Sequence, residues 1–309
     1  MRPRDEGLRA RIDARLLVFG KSIRPLPGIR SELRRRSFCE QLVESIRRVR
    51  YVEVLRSRSL AAGYLDPQNN FFDPLKAAIL QQRNGNLEEA FWLVFLFVHF
   101  GKHAKGGWRY VREIYGRLGQ GGLWDWASVS SDAPGFRAWL NSNQAYLRRP
   151  EAPCGFGNHR KRESLDALSG TGTGAVIESY VAWVYPPRTH QQLVTLAVND
   201  AQSEPIRAFD ELYRSMDVIV RFGRLARFDY LCMLDKLRLA PITAGSPYLS
   251  GASGPLNGAR LLFGARESAV VLDSWVAELG RYLGLGMQVL EDALCNWQKN
   301  PKKFVAFRG

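Results

Sequence analysis

The sequence predicts an all-α fold, on two observations. Apolar residues recur at helical spacing in one segment after another, including 31–60, 191–201, 205–220, 225–239 and 269–283. Stretches that alternate apolar and polar residues, as half-buried strands do, are few. The chain has 309 residues, of which 46% are hydrophobic and 24% charged, so it is long and apolar enough to bury a core.

The charge balance indicates a polyanionic partner. The formal net charge is +14, and nucleic acid is the commonest polyanion, with an anionic membrane surface as the competitor. Residues 1–60 hold sixteen Arg and Lys against seven Asp and Glu. Their arginines lie between apolar residues at helical spacing, on a face that is either solvated or in contact with DNA phosphates. We predict an Arg-rich helical extension at 1–60 and a second domain at 61–309.

Cysteine and histidine usage argues against a metal or a cofactor. The cysteines are scattered without metal-ligand spacing, at Cys39, Cys154, Cys232 and Cys295. His99 and His103 stand four apart, as two ligands on one helix face would, but Gly101 separates them and no third ligand is evident. The most apolar run, 90–100, is too short to cross a membrane. We predict a cytoplasmic protein without a metal, a cofactor or a membrane partner.

Two polar segments are candidates for contact with DNA. A helix is predicted to begin at Asp73 and Pro74, to continue through Leu80 and to break before a buried helix that runs from Leu87. The residues of the break have long hydrogen-bonding side chains, Gln81-Gln82-Arg83-Asn84. These four residues either form an ordinary polar connection between two helices or enter the base stack of DNA. Residues 101–122 interleave basic and aromatic side chains, which suits either backbone contact with stacking on bases or a helix with its aromatics in the core.

The segment 165–181 contains three glycines at alternate positions. Leu165 and Leu168 are spaced as on a short helix, and a second apolar run follows the glycines. The simplest interpretation is helix, tight hairpin and helix, with backbone amides free for a phosphate. No Gly-Lys-Ser/Thr follows the glycines, so DNA backbone is favoured over a nucleotide.

Three segments resemble the helix-hairpin-helix DNA glycosylase superfamily. Residues 168–175 resemble its Leu-Pro-Gly-Val-Gly hairpin, with Ser169 in place of the proline. Residues 79–84 resemble the segment that fills the gap left by a flipped base, and residues 228–231 resemble its Val-Asp before an apolar helix. The resemblance implies two helical lobes with the active-site cleft between them, and a catalytic Asp229, with Asp200 as the alternative. It implies a DNA-binding hairpin of Gly170, Thr171, Gly172, Thr173 and Gly174, and a base-stack wedge of Gln81, Gln82, Arg83 and Asn84.

A closer resemblance, over about residues 70–265, is to the α-glutamyl/putrescinyl thymine pyrophosphorylases. It rests on residues 222–230 and 254–264. This family is linked to hypermodified phage DNA bases, and related proteins resemble antiphage glycosylases that excise glucosylated hydroxymethylcytosine. Bifunctional glycosylases place a Schiff-base lysine where Gly174 stands, so the resemblance implies a monofunctional enzyme that leaves an abasic site.

The interpretation is therefore a DNA N-glycosylase that excises a bulky modified pyrimidine from phage DNA in antiphage defence. Two alternatives are a base-hypermodification enzyme, a pyrophosphorylase or transferase on hydroxymethyl-pyrimidine DNA, and a non-catalytic DNA-binding protein. The expected partner is double-stranded DNA with modified bases, and no obligate protein partner is evident. Further candidates for the base pocket or for phosphate contact are His99, His103, Arg224, Arg227 and Tyr185. Arg224 and Arg227 flank Asp229. Three roles are open for them: to hold a phosphate, to lower the pKa of the aspartate or to form a structural ion pair.

Overall fold

The computed structural model describes residues 5–306, which form fourteen α-helices and no β-strand, so the all-α prediction is confirmed. The helices are α1 (Glu6–Ser22), α2 (Glu32–Ser57), α3 (Pro74–Arg83), α4 (Leu87–Phe100), α5 (Arg109–Tyr115), α6 (Trp126–Ser131), α7 (Ala133–Leu147), α8 (Thr173–Val184), α9 (His190–Asp200), α10 (Pro205–Ser215), α11 (Arg224–Leu237), α12 (Ser253–Phe263), α13 (Ala269–Leu283) and α14 (Met287–Trp297). None of these helices combines the length and apolar character that crossing a bilayer requires.

The helices fall into two compact units. Among the described residues, one unit comprises 5–54 and 244–306, and the other comprises Leu55–Thr243. The first unit buries the Phe38 ring against Trp297, with 4.9 Å between the ring centroids. These units are drawn differently from the predicted ranges 1–60 and 61–309, because the N-terminal helices share a core with α12–α14. The functional division at residue 60 stays a prediction.

The Arg-rich helix α2 is partly neutralised by ion pairs. Arg35 lies 2.7 Å from Asp13, and Arg48 pairs with Asp292 in α14. Arg36 pairs with Glu40 one turn along the same helix. Part of the positive charge that the sequence concentrates here therefore stabilises the first unit.

The second unit is built around α4. All but one of its residues from Ala90 to Phe100 are buried, since the helix packs against α3, α6, α9 and α11. The Phe95 ring stacks on Tyr180 of α8 with 3.7 Å between centroids. This buried helix matches the prediction made from the apolar run, and its two ends contact the polar clusters described below.

Two predicted loops differ from the observed backbone. The break predicted at Gln81 is wrong, because α3 continues through Arg83; glutamine and arginine are good helix formers. Asp73 caps the start of α3 as predicted, accepting hydrogen bonds from the amides of Leu75 and Lys76. The glycine-rich residues 246–258 predict an irregular loop, but this loop is shorter than predicted because α12 begins at Ser253.

Candidate active site

Asp229 lies in a recess on α11. Its sequence neighbours Phe228 and Tyr230 are fully buried, whereas 35% of the Asp229 side chain is exposed to solvent. Burial raises the pKa of the Asp229 carboxyl above its ordinary value, and the positive charges of Arg160, His159, Lys236 and Arg224, in decreasing order, oppose this rise. A carboxylate that is enclosed by protein and still reaches solvent is placed as catalytic carboxylates are.

Arg160 is the cation that faces Asp229. It ends a short 3-10 turn, Asn158–Arg160, and its side chain is nine-tenths buried. Its Nε donates to the Val98 carbonyl at 2.9 Å, while its Nη2 lies 3.6 Å from Asp229 Oδ2. That separation is an ion pair but too long for a hydrogen bond, and Nη2 has no hydrogen-bond partner within residues 5–306. A buried guanidinium with an unused N–H is suited to bind an anionic ligand.

Two glycines bring Arg160 to this position. Gly157 packs against Gly101 at the end of α4, where a Cβ on Gly157 would lie 2.8 Å from the Gly101 carbonyl carbon. The Gly157 amide donates to the Phe100 carbonyl at 2.8 Å. Neither residue tolerates a side chain without moving the backbone, so the pair fixes the 158–160 turn on α4.

His99 connects α4 to α8 beside this site. It is buried, and its Nε2 lies 3.2 Å from Thr173 Oγ1. Because the Thr173 hydroxyl donates to the Ser164 carbonyl at 2.9 Å, we infer that His99 Nε2–H donates to Thr173. Burial, helped by the charge of Arg160, lowers the pKa of His99 to about 3, so its ring is neutral. His99 and Thr173 therefore hold the two helices together.

The glycine segment departs from the predicted helix-hairpin-helix. The helix predicted at Leu165–Leu168 is wrong, because this stretch is irregular. Asp166 Oδ1 instead accepts the amides of Leu168 and Ser169, at 2.8 and 2.6 Å. Such Asx bonding competes with helix formation. Arg137 completes the turn by donating from Nε and Nη2 to the carbonyls of Ala167 and Leu168.

The expected phosphate seat is largely closed. Within the segment, the Gly172 amide donates to the Ser169 carbonyl, the Thr173 amide to the Ser164 carbonyl and the Gly174 amide to the Asp166 carbonyl. Gly172, Thr173 and Gly174 are buried, whereas Gly170 and Thr171 are exposed. DNA contact by the hairpin stays a prediction, and only the two exposed residues are placed to make it.

The predicted wedge residues make contacts inside the protein. Gln82 Nε2 donates to the Leu237 carbonyl at 2.8 Å, and Gln81 Oε1 accepts from Asn86 at 2.8 Å. Arg83 donates to the carbonyls of Arg56 and Arg58. Only Asn84, which follows the last residue of α3, is exposed without a side-chain bond within the described chain. Insertion of these side chains into DNA stays a prediction.

The remaining predicted residues are spread over the second unit. His103 lies beyond the end of α4, and its Nδ1 accepts from the Gly106 amide at 2.9 Å. Arg227 pairs with Asp217 at 2.9 Å, whereas the charge of Arg224 acts on the Asp229 carboxyl. The other two are exposed on the surface, Tyr185 after α8 and Asp200 at the end of α9.

A buried chain of hydrogen bonds fixes α11. The Glu88 carboxylate accepts from His190 Nδ1 at 2.7 Å, so His190 Nε2 is free to accept from the Tyr180 hydroxyl at 2.7 Å. The Tyr180 hydroxyl in turn accepts from Tyr230 at 2.9 Å. Burial lowers the pKa of His190, which keeps this ring neutral. Tyr230 is the neighbour of Asp229 in α11. This series of hydrogen bonds therefore holds the rotation of α11 and, with it, the direction of the Asp229 carboxylate.

Three basic residues near Asp229 were not predicted from the sequence: Arg160, His159 and Lys236. Residues 158–162 form a basic run typical of a solvated surface, and no local pattern marks Arg160 as buried. The only available signal was Gly157 at the end of a glycine-containing break. Among residues 5–306, no three His, Cys, Asp or Glu side chains are grouped to hold a metal ion.

One family model matches the chain, over residues 33–309, and it is described as alpha-glutamyl/putrescinyl thymine pyrophosphorylase clade 3. The match begins well before residue 70, where the resemblance seen in the sequence starts. No curated protein and no solved structure matches the chain. A pyrophosphorylase is a different enzyme class from a hydrolase, so the prediction of a monofunctional DNA N-glycosylase is wrong. The chain belongs to clade 3 of the alpha-glutamyl/putrescinyl thymine pyrophosphorylase family.

Proposed function

We propose that this protein modifies a thymine-type base in DNA by displacing pyrophosphate from the base with an amine. Membership of the pyrophosphorylase family carries the proposal, since the family match spans residues 33–309. The net charge of +14 fits a DNA substrate. The unpartnered Nη2 of Arg160 beside Asp229 offers a place where an anion and a reacting amine meet.

The family name restricts the chemistry. A glutamyl or putrescinyl group on the α carbon of thymine requires a new bond at the exocyclic methylene. A pyrophosphorylase couples the formation of such a bond to the release of pyrophosphate. The reaction that satisfies both is the attack of an amine on a pyrophosphate ester of 5-hydroxymethyluracil. The C–O bond to pyrophosphate breaks, a C–N bond forms, and the amine nitrogen loses one proton.

Arg160 is the proposed contact for the leaving pyrophosphate. Its Nη2 has no hydrogen-bond partner in the described part of the chain, and Arg224 and Lys236 add positive charge that acts on the same recess. Preorganised cations that face the departing group stabilise the charge that develops on it in the transition state. The guanidinium stays charged throughout, because arginine is not deprotonated in proteins.

Asp229 is the proposed base. Its raised pKa makes the carboxylate a better proton acceptor than an exposed aspartate, and 35% of its side chain is accessible to a substrate. The charge of Arg160 opposes the rise that burial causes in the pKa of the Asp229 carboxyl, and so favours its ionised form. Asp229 then accepts the proton that the amine loses as the C–N bond forms.

We assign the DNA contacts to three exposed residues of the predicted hairpin and wedge. Gly170 and Thr171 project from the surface in front of α8, and Asn84 does so after α3. In this proposal they contact the backbone near the modified nucleotide, which is extruded from the duplex to reach Asp229.

The test uses a duplex oligonucleotide with one 5-hydroxymethyluracil esterified by pyrophosphate, incubated with glutamate or putrescine. Pyrophosphate release by the wild-type protein is expected to require the amine. Asp229→Asn is expected to lower the rate at least about 100-fold, the usual size of a general-base contribution. Asp200→Asn, the exposed alternative, is the matched control and should keep the wild-type rate.

Equal rates for wild type and Asp229→Asn would contradict the role of Asp229, and loss of activity in Asp200→Asn alone would assign the base to the alternative. Tight DNA binding without release of pyrophosphate under any amine would favour the non-catalytic interpretation.

A further inference from the structure

A cavity of about 490 Å³ lies in the Leu55–Thr243 unit, and it is lined by neither Asp229 nor Arg160. Its walls combine exposed or half-buried cations with aromatic rings. The lining lysines and aromatic residues include Tyr64, Phe71, Lys76, Lys102, Lys105 and Trp108. The volume falls in the range of about 300–1,000 Å³ that is usual for small-ligand sites.

Two of the lysines are held by a rigid turn and have unpaired charges. His103 and Gly107 exchange backbone hydrogen bonds at 3.0 and 2.9 Å, which places Lys105 at the tip and Lys102 at the base. The bond from the Gly106 amide to His103 Nδ1 locks this turn. Both lysines are exposed, and neither ammonium has an ion-pair or hydrogen-bond partner in the described part of the chain.

The negative charge at this cavity is already engaged. Asp73 is the one acidic residue among the described residues that line it. Its Oδ1 accepts the amides that cap α3, and its Oδ2 accepts from Trp108 Nε1 at 3.3 Å. The cavity therefore keeps a positive balance that selects anions.

The aromatic rings add a surface for stacking. Phe71 is 73% exposed, so its ring is accessible to a ligand. Trp108 packs one side on Phe97, at 5.1 Å between centroids, and lines the cavity. Lys76 and Tyr64 also line the cavity, and Lys76 Nζ lies 3.9 Å from the Tyr64 ring centroid. Aromatic faces beside lysines match the two parts of a nucleotide, the base and the phosphate.

We propose that this cavity binds one nucleotide of a DNA strand, with its phosphate on Lys102 and Lys105 and its base stacked on Phe71 or Trp108. The inference rests on the proposed function in one respect, that DNA is the substrate. The nucleotide held here is a neighbour of the modified one, because the cavity lacks the proposed catalytic groups. It positions the strand and needs no turnover to be observed.

The test measures binding of a fluorescein-labelled single-stranded oligothymidylate, about a dozen nucleotides long, by fluorescence anisotropy. Lys102→Glu/Lys105→Glu is expected to weaken binding more than about tenfold at about 0.15 M salt and to reduce the salt slope by about 1.4. The matched control is Lys302→Glu/Lys303→Glu, which makes the same charge change at two exposed lysines outside the cavity. It should change the affinity far less.

The aromatic surface is tested separately. Phe71→Ala is expected to weaken binding about 5- to 100-fold, the range for loss of one base-stacking contact. Tyr146→Ala, which also removes an exposed ring in the same unit, should have little effect. Equal losses in the cavity and control variants, or no loss in the cavity variants, would overturn the inference while DNA binding itself persists. Absence of DNA binding by the wild-type protein would overturn both proposals.

Discussion

The pairing of Arg160 with Asp229 predicts a measurable change in the pKa of the carboxyl. In Arg160→Met, a charge 3.6 Å from Asp229 is lost. Coulomb's law with an effective dielectric constant of about 20 gives about 4.6 kcal/mol at this separation. Because 35% of the Asp229 side chain is exposed, solvent screening reduces this, and we expect about 1.5–3 kcal/mol, or one to two pKa units.

The direction of the shift follows from the sign of the lost charge. Asp229 acts as a base only when ionised, so the rate rises as pH passes through its pKa. Loss of the arginine charge raises this pKa further and moves the half-maximal point of the rate profile up by about one to two pH units. The assay is the pH dependence of pyrophosphate release, judged by the position of the rise, since Arg160→Met also weakens the leaving-group contact.

Two further variants make this prediction refutable. Arg227→Met removes an arginine that lies on α11 with Asp229 but pairs with Asp217. The pH profile of this variant should therefore keep the wild-type position. Arg160→Lys retains the charge and should stay close to the wild-type position despite losing the planar guanidinium. If the profile of Arg160→Met rises at the same pH as that of the wild type, the Arg160–Asp229 coupling does not set the pKa of the base.

Three other predictions concern stability. Burial raises the pKa of Asp229 above its unfolded value, so the folded protein loses stability as pH rises from the unfolded pKa to the raised one; Asp229→Asn removes this titration and should melt no lower than wild type at neutral pH, and a clearly lower melting temperature would contradict this. Burial raises the pKa of Glu89 from 4.5 to about 7, so the folded protein should lose up to about 3 kcal/mol between these pH values. Urea unfolding of Glu89→Gln should show a flatter pH dependence, and an unchanged one would refute the assignment. Gly174→Ala places a Cβ 2.2 Å from the Ala167 carbonyl oxygen and should cost about 1–3 kcal/mol, whereas Gly170→Ala meets nothing within 4 Å and should cost less than about 0.5 kcal/mol; equal denaturant midpoints for the two would argue against the packed segment.

Helix identity was predictable where apolar periodicity runs long. Buried α4 and the closing helices α13 and α14 follow directly from their apolar spacing. The failure at Leu165–Leu168 has a local cause, since two apolar residues three apart carry little information. There the Asp166 carboxylate binds the amides of the next turn and Arg137 binds its carbonyls. The second of these contacts depends on a helix about 30 residues away.

The candidate site was predictable only in part. Asp229 was named from the resemblance of residues 228–231 to the glycosylase superfamily, and it does lie in a charged recess, while its catalytic role stays a prediction. Its partner Arg160 was not, because the arginine is positioned by close packing of Gly157 on Gly101, two residues far apart in sequence. The predicted phosphate seat is largely closed for a related reason, since the amides of Gly172 and Gly174 donate to carbonyls of the preceding residues. Local patterns show which residue types are present, while nonlocal packing decides which of their polar groups remain free.

The proposed reaction substitutes the base and leaves the strand and its glycosidic bond intact. Mass spectrometry of nucleosides digested from the treated oligonucleotide distinguishes this reaction from base excision. We expect a thymidine that carries glutamate or putrescine through a C–N bond, formed in equal amount to the pyrophosphate released and absent with Asp229→Asn. Release of a free base with an abasic site in the strand, and no substituted nucleoside, would contradict it.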